Sequence, residues 1–92
     1  MEIFDMHDFM DNGIVLEKSF YEKVENFDWD SFRGKRVLVK GCGTTVIPPW
    51  AFMVIASRLT EVAKVIKYGS EHDSFPVYRN RTREADNVTH AE

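Results

Sequence analysis

The chain carries a single cysteine in 92 residues. One thiol excludes an internal disulfide and points to a reduced, cytoplasmic protein. Positive charge is also short. Twelve lysines and arginines face fifteen aspartates and glutamates, for a formal net charge of −3. General nucleic-acid binding needs a basic footprint, so no nucleic-acid partner is expected. Long apolar runs are missing. The longest, Trp50 to Ala56, falls far short of the roughly 20 residues that a membrane span needs, and no membrane partner is expected. The opening Met1-Glu2-Ile3-Phe4-Asp5 has no basic region leading into an apolar stretch, so it does not read as a signal peptide. Asn87-Val88-Thr89 matches the glycosylation pattern, but without an export signal the match reads as chance. There is no internal repeat and no complete catalytic signature.

What is present is enough for a fold. The chain is 43% hydrophobic and 13% aromatic, which makes it globular rather than disordered. Its length fits one domain with a small core. A second copy of the chain is therefore the expected partner. The reading places the domain over residues 1–79 and a polar, flexible tail over 80–92.

The most informative stretch runs from Arg36 to Ala51. Arg36-Val37-Leu38-Val39-Lys40 reads as a strand that is apolar on both faces, as expected of a strand covered on both sides. It ends in Gly41-Cys42-Gly43, followed by Thr44, Thr45, Val46 and Ile47. Pro48-Pro49 then opens a helix reaching Ala63, since proline suits a first turn. Phe52, Ile55, Ala56, Leu59, Val62 and Ala63 form its inner stripe. The apolar wrap at Trp50 to Ile55 predicts burial on more than one side.

Lys64-Val65-Ile66-Lys67-Tyr68 alternates as a second strand, ended by Gly69. The two strands flank one helix, which makes a right-handed βαβ unit by strong default. Phe75-Pro76-Val77-Tyr78 reads as a short third strand, and Pro76 places it at an edge. Earlier in the chain, Glu2-Ile3-Phe4 is a short strand or an extended lead-in, and Asp5 can cap a turn over Met6 to Met10. Asp11-Asn12-Gly13 is a turn signal. Leu16, Phe20, Val24 and Phe27 share a helical stripe over about 16–27. Trp29 and Phe32 pack down from a connecting loop. The expected fold is thus a small α/β domain with a two- to three-stranded, mainly parallel sheet. Its βαβ unit uses strand 36–40, helix 48–63 and strand 64–68, behind an N-terminal helix.

Gly34-Lys35, Val39-Lys40-Gly41-Cys42, Pro49-Trp50-Ala51-Phe52, Leu59, Tyr68-Gly69 and Pro76-Val77-Tyr78-Arg79 together resemble a small bacterial family of uncharacterised domains. The resemblance spans most of Ile3 to Arg79. It implies an α/β fold and carries no activity with it. In that family a second cysteine follows the glycine aligned with Gly69, and here the resemblance puts His72 in its place. Both Cys42 and His72 would lie beyond the carboxyl ends of neighbouring parallel strands, and both residue types ligate zinc.

The candidate site residues follow from that end of the sheet, where α/β folds bind ligands. Gly41, Cys42, Gly43, Thr44 and Trp50 are the candidates for holding a small molecule or an anion at a helix N-terminus. Cys42 and His72 are the candidate metal ligands, with Glu71, Asp73 or another subunit needed to complete a set. Cys42 also reads as a small buried residue at a tight turn, or as a thiolate favoured by the helix dipole. The loop also reads as a plain connector, and it lacks the lysine–serine or lysine–threonine pair of a phosphate loop. Arg79, Arg81 and Arg83 read as a solubilising cluster interleaved with Glu84 and Asp86. The cofactor, if any, is not legible. Three functions stand in order: a non-enzymatic interaction module that self-associates; a small-molecule, anion or metal binder using the Cys42 and His72 loops; and a thiol-dependent enzyme.

Overall fold

In a computed structural model of the chain, residues 1–41 and 46–81 are described. Four strands form one sheet: β1 (Glu2–Asp5), β2 (Arg36–Lys40), β3 (Val65–Gly69) and β4 (Ser74–Arg79), side by side in that order. β1, β2 and β3 run parallel, and β4 returns antiparallel to β3. Two helices connect the parallel strands, α1 (Glu17–Asn26) and α2 (Pro49–Leu59). The α/β reading holds with one strand more than expected. Glu2–Asp5 is a true edge strand, paired in register from Glu2↔Val37 to Asp5↔Lys40.

Both crossovers move one strand in the same direction. With the usual right-handed connection, that puts both helices on one face of the sheet. The core agrees. Phe20 and Val24 of α1 and Ala51, Ile55 and Leu59 of α2 join a single buried cluster with Phe4, Val37, Val39 and Ile66 of the strands. Those strand residues alternate with Ile3, Leu38 and Val65, which belong to the other face. Val37, Leu38 and Val39 are all buried, so β2 is covered on both faces as its sequence predicted.

Several local readings hold in detail. The Asp5 carboxylate accepts the His7 amide and caps a 3-10 turn at Met6–Phe9. Asn12 and Gly13 take positive φ, and Asp11 and Ile14 exchange backbone hydrogen bonds around them. A second 3-10 turn, Trp29–Phe32, buries Phe32. Trp29 donates its indole N–H to the Val24 carbonyl at 2.8 Å, satisfying an open end of α1. Pro76 does sit in an edge strand.

Other readings need correction. Leu16 does not continue the α1 stripe. It is the residue before the helix, extended and 50% exposed. α2 ends at Leu59 rather than Ala63, because Thr60 to Ala63 turn the chain down toward β3, with Val62 and Ala63 still buried. β3, expected over 64–68 as the second strand of the βαβ unit, is shifted by one residue to Val65–Gly69. The first half of α2 is not wrapped on all sides: Trp50 is at the surface and Met53 is 72% exposed. Phe52 and Ala56 are half-buried. For Phe52, Met53 and Ala56 the cause is the width of the sheet. α2 packs over β2 and β3, and the fourth strand extends past it.

Candidate functional site

That overhang makes a recess. It is a groove of about 330 Å³ between the outer flank of α2 and the β3–β4 hairpin. Pro49, Phe52, Met53 and Ala56 form the helix wall. Val39, Ile66 and Tyr68 form the floor. Val77 closes the far side.

Val77 reaches the groove through an irregularity in β4. Ile66 pairs with Tyr78 but Lys67 pairs with Pro76, so Val77 is an extra residue in the ladder. A bulge of this kind lets two consecutive side chains oppose one on the partner strand. Tyr78 turns toward the helices, where its hydroxyl donates to the Thr60 carbonyl at 3.3 Å. Val77 lines the groove beside it. Proline suits this strand because it cannot donate to a ladder, and an edge position or a bulge tolerates that.

The groove is built from aromatic contacts at its outer end. The Tyr68 ring meets Phe52 edge-on at 5.2 Å and Phe75 edge-on at 6.0 Å. Phe75 itself is 58% exposed, and Val77 53%. Tyr68 carries the only hydroxyl in the lining, and no lining side chain is charged. Such a surface binds by removing apolar area from water. The Tyr68 hydroxyl is the one polar side-chain group in that lining.

The hairpin holding this wall is tightly specified. Gly69 has φ of +139°, and a β-carbon there would collide with the backbone carbonyl of Asp73. Only glycine fits that conformation. Ser70 and Asp73 close the turn through their backbones, and the Ser70 hydroxyl accepts the amides of His72 and Asp73 at 3.3 and 3.0 Å. Lys40 reaches Glu71 at 3.4 Å, tying the turn to the end of β2.

The residues expected to form a site at the strand ends are placed as follows. Cys42, Gly43 and Thr44 lie outside the described residues. Gly41 sits beside the outer end of the groove, where a β-carbon would lie 3.6 Å from the Tyr68 hydroxyl and 3.8 Å from Phe52. Trp50 turns the other way, stacking on Tyr21 at 5.9 Å and meeting Phe20 edge-on at 5.4 Å. His72 is an exposed residue of the β3–β4 turn, near the Lys40–Glu71 pair. Among the described residues, no three of His, Cys, Asp and Glu come together as a metal site would require.

One titratable group stands out elsewhere. The Asp11 carboxyl is held below its ordinary value by the Ser19 hydroxyl and by Lys23, whose ammonium donates to it at 3.1 Å. The pair pins the 11–14 turn to α1. Sequence reading missed the groove because Phe52 and Ala56 looked like core and because a bulge has no signature in a run such as Phe75-Pro76-Val77-Tyr78. Pro76 was the one available signal.

The family follows from comparison over the whole length. The model of DUF2480, a family of proteins of unknown function, matches residues 1–90. The chain belongs to that family. No curated protein and no solved structure matches it. No helix among the described residues is long and apolar enough to cross a membrane.

Proposed function

We propose that this DUF2480 domain is an interaction module that binds a second copy of itself across the groove between α2 and β4. The observation that carries the reading is the pairing of a recess with projecting apolar side chains on one patch. Met53, Phe75 and Val77 project beside the groove that Phe52, Ile66 and Tyr68 floor. A two-fold interface uses the same patch twice, so it must hold both the knob and the hole. The patch also lacks charge, and the formal net charge of −3 opposes association only weakly.

Side chains, rather than strand pairing, supply the contact. Pro76 and the bulge interrupt the free edge of β4, which prevents a partner strand from extending the sheet there. A standard interface takes about 800 Å² from each partner, roughly one seventh of the 5917 Å² surface of the chain. A small domain gains in stability from covering such area.

Light scattering coupled to size exclusion tests this at micromolar concentration and above. The full chain should run at twice its own mass. Met53→Glu and Val77→Glu should each shift it to the monomer while keeping the native circular dichroism spectrum. A wild-type chain that stays monomeric across the concentration range sinks the reading, and so does a dimer indifferent to both substitutions.

A further inference from the structure

The four methionines of the chain meet solvent very differently. Met6 is fully buried and Met10 is 8% exposed. Met1 is the first residue and is open, as chain ends are. Met53 is the exception. It sits inside α2, yet it is 72% exposed, and its side chain lines the groove with Pro49, Phe52 and Ala56. An oxidant dissolved in water reaches a thioether by contact, so it reaches Met53 and is kept from Met6 and Met10 while the fold is intact.

A thioether also suits the contact argued above. It is unbranched and polarisable, it fills irregular gaps, and it packs well against ring edges. Phe52, Tyr68 and Phe75 supply a run of rings along the groove. In a two-fold contact across this patch, each copy brings its Met53 to the apolar surface of the other. The same side chain is therefore open to an oxidant in the free chain and covered in the dimer.

We propose that Met53 is an oxidation site, and that its sulfoxide releases one copy of the chain from the other. The proposal rests on the self-association reading. The co-reactant is a hydroperoxide. The Met53 sulfur lone pair attacks the terminal peroxide oxygen, an S–O bond forms, and the O–O bond breaks. The thioether loses two electrons and the peroxide gains them. The proton on the transferred oxygen passes to the departing one, which leaves as water or an alcohol. The product is polar and its oxygen needs hydrogen bonds. No side chain lining the groove is charged, and the Tyr68 hydroxyl is the one polar group there. Covering the sulfoxide against such a surface gives up bonds to water that one hydroxyl replaces only in part. A penalty of about tenfold per copy, met twice in a two-fold dimer, weakens association about a hundredfold.

Dilute hydrogen peroxide on the full chain is the test, read by peptide mass mapping and by light scattering over a dilution series. Met53 should gain one oxygen well before Met6 or Met10. The dimer dissociation constant should rise about a hundredfold while the circular dichroism spectrum stays native. Methionine sulfoxide reductases, one for each epimer, should restore the dimer. Met53→Leu, whatever its own dissociation constant, should not respond to peroxide. That variant keeps Met1 and Cys42, so a response from it assigns the effect to another group and overturns the proposal. A wild-type dimer unmoved once Met53 is fully oxidised overturns it too, and leaves self-association standing. A chain that is monomeric before any peroxide is added removes both readings.

Discussion

Two aromatic clusters sit on the helix face of this sheet, one toward each edge, and they meet solvent differently. Toward β1, Phe4 stacks on Trp29 at 5.5 Å, Trp29 meets Phe27 at 4.6 Å, and Phe9 and Phe32 complete the group. The 3-10 turns at Met6–Phe9 and Trp29–Phe32 fold over that edge and shut it. Toward β4, Phe52, Tyr68 and Phe75 form an equally continuous run, but none of the described elements folds over it. The β1 cluster has five rings and the β4 cluster three. The connecting chain differs too: the β1 side has two structured turns, while β3 and β4 are joined by a four-residue hairpin turn at 70–73. A closed cluster stabilises the fold. An open one is available for binding.

The largest test of that contrast is to truncate one ring from each cluster. Phe4→Ala should destabilise the domain by about 3–5 kcal/mol, the usual loss for a buried phenylalanine. Phe75→Ala should cost under about 0.5 kcal/mol in the monomer, as at an ordinary exposed position. Urea denaturation below the dimerisation range reads both. Comparable losses at the two sites would mean that the β4 cluster is core after all.

A middle-sized effect sharpens the open side. Gly69→Ala forces a β-carbon into the Asp73 carbonyl at a φ that side chains rarely adopt. Strain of this kind is worth on the order of 1–3 kcal/mol. The hairpin should loosen, so amide exchange should quicken in β4 while the Phe4 cluster keeps its protection. Uniform quickening across the sheet would refute the local reading.

The smallest effect concerns the closed side. The folded Asp11 carboxyl titrates below its ordinary 3.8, so the unfolded state binds its proton first as pH falls. Its contribution is therefore fully present above that value and is lost as pH drops through the lowered folded one. Asp11→Asn should lower stability slightly at neutral pH, where the contribution is present, and flatten the acid limb below about pH 4, so that the two curves converge in acid. An acid limb that survives the substitution would remove the Ser19–Asp11–Lys23 contact from the account.

Particular residues show where sequence reading reached and where it stopped. Phe20 and Val24 were legible because helical spacing and burial coincide within one element. Leu16 obeyed the same spacing and still came out exposed, because the helix starts after it. Pro76 announced an edge, but nothing announced the bulge that turns Val77 into a groove wall. Glu2-Ile3-Phe4 was too short to be told from a lead-in, and only its register against Val37 to Val39 makes it a strand. Cys42, Gly43 and Thr44, in the strongest local pattern, lie outside the described residues, and Gly41 just before them borders the groove.

The amino-acid sequence by itself determined the elements. Val-Leu-Val in β2, the double proline before α2, the Asp5 cap, the Asn12-Gly13 turn and the glycine at 69 are each dictated by backbone sterics, side-chain periodicity or a local hydrogen bond. Those forces act within a few residues. The tertiary structure decided the rest: that four strands lie in the order β1-β2-β3-β4, that both helices share one face, and that α2 stops short of β4. Burial of a side chain such as Phe52, Met53 or Leu38 depends on what lies across from it. That neighbour is supplied by the packing of distant segments.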